Sequence, residues 1–191
     1  MKPWKGLLLI LLLAGCATRP DQQIYVLGGA ADPTAGVRDN NGRQVIEIKS
    51  VLIPEYLDNT DLMLRSGAHE LKPSLTGMWG ERLSIGFTQA LTGALAKRVS
   101  TATVLSRPPA GRPDIQILVD VTGLQAVAGG DTVLTAHWTI LRLTGSAAPR
   151  SVASAQGNFI ASGDGFGDKA TVAAISNTID QLADRIAIDL R

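Results

Sequence analysis

The sequence predicts an α+β fold: a single domain with a mixed, mostly antiparallel sheet whose long-stranded meander is covered on one face by two helices. Two patterns support this prediction. Several segments alternate apolar and polar residues, which is typical of half-buried strands. Two other segments repeat apolar residues every three or four positions, which is typical of amphipathic helices.

The N-terminal segment has the layout of a secretory signal peptide. Lys2 and Lys5 precede an apolar run at residues 6–13, and the small residues Ala14 and Gly15 follow it. The run is too short for a transmembrane helix, which needs about 20 apolar residues. Removing this 15-residue leader leaves 191 − 15 = 176 residues, a length that fits one domain.

The residues Leu13-Ala14-Gly15-Cys16 closely resemble the lipobox of bacterial lipoproteins. In such proteins a diacylglyceryl group is attached to the cysteine, the chain is cut before it, and the new amino terminus is usually acylated. The resemblance implies lipidation of Cys16, a lipidated tether at residues 16–22 and a folded domain at residues 23–191. A chance cysteine after an ordinary signal peptide is the alternative.

The residues after Cys16 bear on which membrane holds the chain. In Gram-negative lipoproteins an aspartate directly after the cysteine typically signals retention at the inner membrane, whereas Ala17 and Thr18 stand here. The resemblance therefore implies the periplasmic face of the outer membrane. Two or more acyl chains make such attachment stable, since each buried CH₂ contributes about 0.8 kcal/mol.

The first half of the domain is predicted to contain short strands and one helix. A loop rich in Gly, Pro, Asp and Asn follows the first strand, and a hairpin turns at Gly67. The predicted strands are residues 23–27, 45–51, 61–66 and 70–72, and the predicted loop is residues 28–43. Ser74 is the predicted N-cap of the helix, whose apolar stripe is Trp79, Leu83, Phe87, Ala90, Leu91 and Ala94.

The second half is predicted to be a meander followed by a helix. A short strand at residues 103–105 precedes three longer strands, which begin at Ile115, Thr132 and Ser151 and are joined by short loops. The last helix is predicted at residues 169–190, and Asp168 is placed to cap it.

The sequence offers no motif for catalysis, metal binding or nucleic-acid binding. His69 and His137 are the only histidines, and they lie in different predicted elements without an HExxH motif or a cysteine partner. The net charge is +1, so the chain lacks the clustered basic residues that nucleic-acid binding requires. We therefore predict no enzyme activity, no metal and no cofactor other than the covalent lipid on Cys16.

Aromatic residues are the remaining candidates for function. Tyr25, Trp79 and Trp138 lie in predicted strands or a helix, where a core position is the favoured interpretation. Tyr56 lies in a connecting loop beside Pro54 and is the better candidate for an interface. In the glycine-rich residues 162–168, which we interpret as a connection rather than a calcium loop, Phe166 is either a core residue or an exposed contact.

Taken with the lipobox, several segments resemble the PqiC family of ABC-type transport auxiliary lipoproteins. The similarity runs over nearly the whole mature chain, and its most specific part is Pro54-Glu55-Tyr56-Leu57-Asp58. The other matching segments are Tyr25-Val26-Leu27, Ile46-Glu47-Ile48, Val51-Leu52-Ile53 and Trp79-Gly80-Glu81, with Leu91 following.

This resemblance implies a non-enzymatic subunit of an MCE-type intermembrane lipid transport system. The implied partners are an MCE-domain protein that forms a tube across the periplasm, the associated inner-membrane transporter, and further copies of the chain in a ring. Pro54, Glu55, Tyr56, Leu57 and Asp58 are predicted to contact neighbours or the tube. The alternatives are a periplasmic lipid-carrier domain and a pilot lipoprotein that assembles an outer-membrane pore.

Overall fold

The computed structural model describes residues 21–28, 43–107, 111–143 and 148–191. The predicted signal peptide and Cys16 lie outside these ranges, as does nearly all of the predicted loop at residues 28–43. The elements are β1 (Gln23–Tyr25), β2 (Gln44–Ile48), β3 (Asp61–Gly67), β4 (Glu70–Trp79), α1 (Leu83–Arg98), β5 (Ala102–Leu105), β6 (Ile115–Ala126), β7 (Asp131–Arg142), β8 (Arg150–Ser162) and α2 (Asp168–Asp189). Neither of these helices is long and apolar enough to span a bilayer.

The strands form two sheets within one α+β domain. The larger sheet has the order β5-β2-β6-β7-β8, in which β2 is parallel to β5 and β6, and β6, β7 and β8 form an antiparallel meander. The smaller sheet has the order β1-β4-β3. The predicted fold class, a mixed and mostly antiparallel α+β domain with two helices, is confirmed. The division into two sheets was not predicted.

One face of the larger sheet carries the core. Along β6, Ile117 and Val121 have no exposed surface, whereas Leu118 on the other face is 40% exposed. On β7, Trp138 is buried, its ring centroid lies 6.1 Å from that of Phe159, and its indole N–H donates a hydrogen bond to Asp189 Oδ2 at 2.9 Å. This bond joins the middle of β7 to the end of α2.

The prediction that α1 begins near Ser74 was wrong. The helix begins at Leu83, and Ser74 lies in β4, which continues to Trp79 because it pairs with β3 on one side and β1 on the other. Between Pro73 and Met78 the four residues 74–77 of β4 lie opposite the single residue Leu62 of β3. We call residues 74–77 the β4 bulge.

The prediction that Asp168 caps α2 was also wrong. Gly167, with a φ of 87°, holds the cap position, and Asp168 makes no capping hydrogen bond. Instead, Asp168 Oδ2 accepts hydrogen bonds from Ser74 Oγ at 2.8 Å and from Thr76 Oγ1 at 2.7 Å. A carboxylate in the first turn also suits the positive end of the helix dipole. Asp168 therefore joins α2 to the β4 bulge.

Gly77→Ala should disrupt the contact between Asp168 and the β4 bulge. A Cβ at residue 77 would lie 2.6 Å from Asp168 Oδ2 and 2.8 Å from Tyr25 Cε2, so these groups must shift. We expect the free energy of unfolding to fall by about 1–3 kcal/mol, measured by urea denaturation. Gly93→Ala in α1 is the matched control, because no heavy atom lies within 4 Å of its added Cβ. This control should gain about 0.5–1 kcal/mol. Equal denaturation midpoints for the two variants would contradict the prediction.

Candidate partner-binding surface

The segment predicted to contact partners, residues 54–58, forms a tight turn between β2 and β3. The Pro54 carbonyl accepts hydrogen bonds from the amides of Leu57 at 2.8 Å and Asp58 at 3.1 Å. The side-chain amide of Asn59 donates to the Tyr56 carbonyl at 3.2 Å. These bonds close the turn on itself, so its shape does not depend on a partner.

Leu52, two residues before Pro54, fixes this turn to the larger sheet. Its amide donates to the Val119 carbonyl at 3.0 Å, and its carbonyl accepts from the Val121 amide at 2.9 Å. Val51 beside it donates its amide to Thr88 Oγ1 of α1 at 3.0 Å. The chain therefore enters the turn from a segment that is bonded to both β6 and α1.

The five residues predicted to contact partners differ in how far the turn buries them. Tyr56 is 57% exposed, Glu55 is exposed, and Pro54 is half-buried. Leu57 is only 2% exposed and belongs to the hydrophobic core. Within this chain, Tyr56 and Glu55 thus present surface to a partner, while Leu57 stabilises the fold. The sequence did not reveal this split, because consecutive residues of a turn follow no helical or strand period.

Asp58 connects the turn to the start of α1. Its Oδ1 accepts a hydrogen bond from the Ser84 amide at 2.9 Å, and its Oδ2 pairs with the Arg82 guanidinium. The first amides of a helix lack partners within the helix, and Arg82 at the cap position supplies no side-chain bond. Burial raises the pKa of the Asp58 carboxyl, but the hydrogen bonds from Ser84 and Arg82 outweigh it and hold this pKa below its ordinary value.

Tyr56 lines one side of an open groove of about 450 Å³. The rest of the groove is formed by the tip of the β3–β4 hairpin and by β6 where its register shifts between Val121 and Gly123. The other lining residues are Arg65, Ala68, His69, Glu70, Leu71, Thr122, Gly123, Leu124 and Gln125. An exposed tyrosine beside an arginine is typical of protein interfaces, in which both residue types are enriched.

The other candidates lie in the core, on the exposed face of the larger sheet or in the connection before α2. Trp79 and Trp138 are buried, as the sequence favoured, whereas Phe166 is 92% exposed and is thus not a core residue. His137 Nε2 lies 3.2 Å from Ser154 Oγ at an exposed position of the larger sheet. Among the described residues, no group of three or more His, Cys, Asp or Glu side chains is arranged to hold a metal ion.

Asp58→Asn should loosen the Tyr56 turn and lower stability in a pH-dependent way. At about pH 7 we expect a loss of about 1–2 kcal/mol in the free energy of unfolding, because a charged acceptor at the start of α1 is removed. The folded-state pKa of Asp58 lies below its ordinary value of 3.8, so its contribution is present above that value and is lost as the pH falls through the folded-state pKa. Urea denaturation at about pH 7 and about pH 3 should therefore show a smaller difference between wild type and variant at acid pH. An undiminished difference would contradict this assignment.

The chain matches a known protein family. A family model described as an ABC-type transport auxiliary lipoprotein component matches residues 25–187. The search of curated proteins returned no significant match.

Two crystal structures share the fold. One, of an uncharacterised protein, superposes with a TM-score of 0.70 at 14% sequence identity and covers 90% of this chain and 99% of the other. The second, of a protein from Xanthomonas campestris, has a TM-score of 0.60 at 15% identity and covers 90% of this chain and 93% of the other. At these identities the likeness shows the fold alone. Because the family model spans the Tyr56 turn, both sheets and nearly all of both helices, the chain belongs to the family of ABC-type transport auxiliary lipoprotein components.

Proposed function

We propose that this chain is an outer-membrane-anchored lipoprotein subunit of an MCE-type intermembrane lipid transport system. In this role it docks at the periplasmic tube formed by an MCE-domain protein and assembles with further copies of itself into a ring. Membership of a transport auxiliary family supports association with a transporter. The observation that carries the proposal is the exposed Tyr56 on an internally bonded turn beside an open groove.

The geometry of the turn favours docking. Tyrosine contributes a large contact area with only two rotatable side-chain bonds, so its ordering on binding costs little entropy. The backbone of the turn is already held by Pro54 and Asp58, which reduces the cost further. Glu55 beside it and Arg65 across the groove supply charges of opposite sign, which set the orientation of a partner more than its affinity.

The membrane anchor in this proposal is Cys16. A diacylglyceryl group on its thiol and an acyl group on its amino terminus would attach the domain to the periplasmic face of the outer membrane. Six residues, 17–22, separate Cys16 from Gln23, where β1 begins. The domain then stays close to the membrane while the Tyr56 turn meets a neighbouring copy or the tube. This role requires binding surfaces rather than a catalytic residue or a cofactor.

The lipid-carrier alternative receives less support. A carrier needs an apolar cavity that shields an acyl chain. The pocket lined by Leu57, Trp79 and Ile175 has a volume of only about 10 Å³. That volume is about the space of one water molecule, which is far too little for an acyl chain.

Tyr56→Ala should weaken docking without unfolding the domain. Loss of a central aromatic contact typically costs about 2 kcal/mol or more in binding, so we expect an affinity lower by at least about tenfold. The measurement is co-purification of the MCE-domain protein from detergent-solubilised membranes, together with the oligomeric mass. Ile188→Ala is the matched control, since Ile188 is 55% exposed but lies near the end of α2, away from the groove.

Unchanged co-purification and unchanged oligomeric mass for Tyr56→Ala would contradict docking through this turn. Retrieval of an outer-membrane pore without an MCE-domain protein would instead support the pilot-lipoprotein alternative. Leu57→Ala is unsuitable as a binding variant, because truncating a buried leucine costs about 2–5 kcal/mol of stability.

A further inference from the structure

One end of the molecule carries three exposed apolar side chains, one in the β4 bulge and two in connecting segments. Phe166 is 92% exposed, Leu75 is 76% exposed and Val127 is 40% exposed. Leu75 lies in the β4 bulge, Val127 in the turn after β6, and Phe166 in the connection before α2. We call these three residues the apolar end.

Specific contacts bring these three segments together. The residues on both sides of Leu75, Ser74 and Thr76, donate hydrogen bonds to Asp168, which is two residues beyond Phe166. A Cβ added at Gly129 would lie 2.8 Å from the Phe166 ring. Gly129 lies in the turn that Val127 opens, because the Val127 carbonyl accepts from the Gly130 amide at 3.0 Å.

The same end of the molecule is where the tether joins the domain. β1 runs parallel to β4 and begins with Gln23 paired to Gly77, the last residue of the β4 bulge. The chain therefore enters β1 beside the bulge that presents Leu75. The seven residue-to-residue steps from Cys16 to Gln23 span at most about 25 Å when fully extended. The 22 residues of α2 extend for about 33 Å from Asp168, so its far end lies much farther from the tether.

We propose that the apolar end inserts into the surface of the membrane to which Cys16 attaches the chain, and so orients the domain on the bilayer. This inference rests on the lipid anchor in the proposed function. A short tether keeps the local concentration of lipid surface high, so three side chains suffice to bias the orientation although they would bind a membrane only weakly alone. Exposed apolar side chains are more stable when a partner or a membrane buries them, and the tether places a bilayer within reach of the apolar end.

The contact is apolar rather than electrostatic. The exposed charged residues within four positions of these three side chains are Lys72, Asp131, Asp164 and Lys169, two basic and two acidic, so they do not form the basic cluster that anionic lipids attract. We therefore expect the insertion to depend little on salt concentration, because screening acts on charge interactions.

Tryptophan quenching by lipid tests this orientation. The full lipidated protein carrying Phe166→Trp is purified and reconstituted in vesicles of phosphatidylethanolamine and phosphatidylglycerol, with or without brominated acyl chains. Brominated lipid should reduce the emission of this variant at low and at high salt. Ile188→Trp is the matched control and should lose no emission beyond that of wild type, because it lies at the far end of α2. Trp79 and Trp138 are buried and give the same background in every sample. Leu75→Trp supplies a second reporter, in the β4 bulge.

Absence of lipid quenching in both Phe166→Trp and Leu75→Trp would overturn the proposal. Equal quenching at residues 166 and 188 would also overturn it, because the domain would then have no fixed orientation. If quenching is absent and Phe166→Asp lowers the oligomeric mass, the apolar end is a protein contact instead.

The intact mass of the purified protein shows whether Cys16 carries lipid. It therefore tests the anchor of the proposed function independently of the insertion of the apolar end. A bare Cys16 would contradict the biological anchor. Because Cys16 is the only cysteine in the chain, its thiol can then be coupled to a maleimide lipid in the same vesicles. That coupling restores the tether, so the quenching result still supports or overturns membrane insertion of the apolar end.

Discussion

The hydrogen bonds that Asp168 accepts from the β4 bulge join the smaller sheet to the start of α2, the helix that packs on β7 and β8 of the larger sheet. Asp168 is only 8% exposed, and a buried carboxylate is costly unless donors satisfy it. The hydroxyls of Ser74 and Thr76 supply those donors, and Gly77 leaves the space that the carboxylate occupies. This contact places the start of β1 beside the start of α2. It therefore sets where the tether leaves the domain and which apolar side chains lie next to it.

Asp58 plays a corresponding part at the start of α1. Like Asp168, it is an acidic residue near a helix N-terminus that bonds across elements, here to Ser84 and Arg82. The bond orients the turn that presents Tyr56 to solvent while Leu57 enters the core. Two carboxylates thus organise two surfaces, one with an exposed tyrosine and one with the apolar end. Both surfaces are suited to binding, in agreement with an auxiliary role in transport.

Local patterns predicted some elements well and others poorly. The meander of β6, β7 and β8 followed from alternating residues and short loops, because antiparallel neighbours are close in sequence. β2 pairs in parallel with β5 and β6, which are distant from it in sequence. No local residue pattern therefore predicts these pairings. Ser74 and Asp168 are typical capping residues, but they bond to each other across 94 positions of sequence. Phe166 lies among glycines without any period, so only the structure decides its exposure.

Cross-linking from residue 56 in living cells tests the docking role most directly. A photoreactive amino acid in place of Tyr56 would capture whichever molecule contacts the exposed face of the turn, and the same probe in place of Ile188 controls for random collisions. The predicted result is an adduct with an MCE-domain protein or with a second copy of this chain, formed from residue 56 and not from residue 188. Adducts to neither of these molecules, or adducts to an outer-membrane pore instead, would contradict the proposed role.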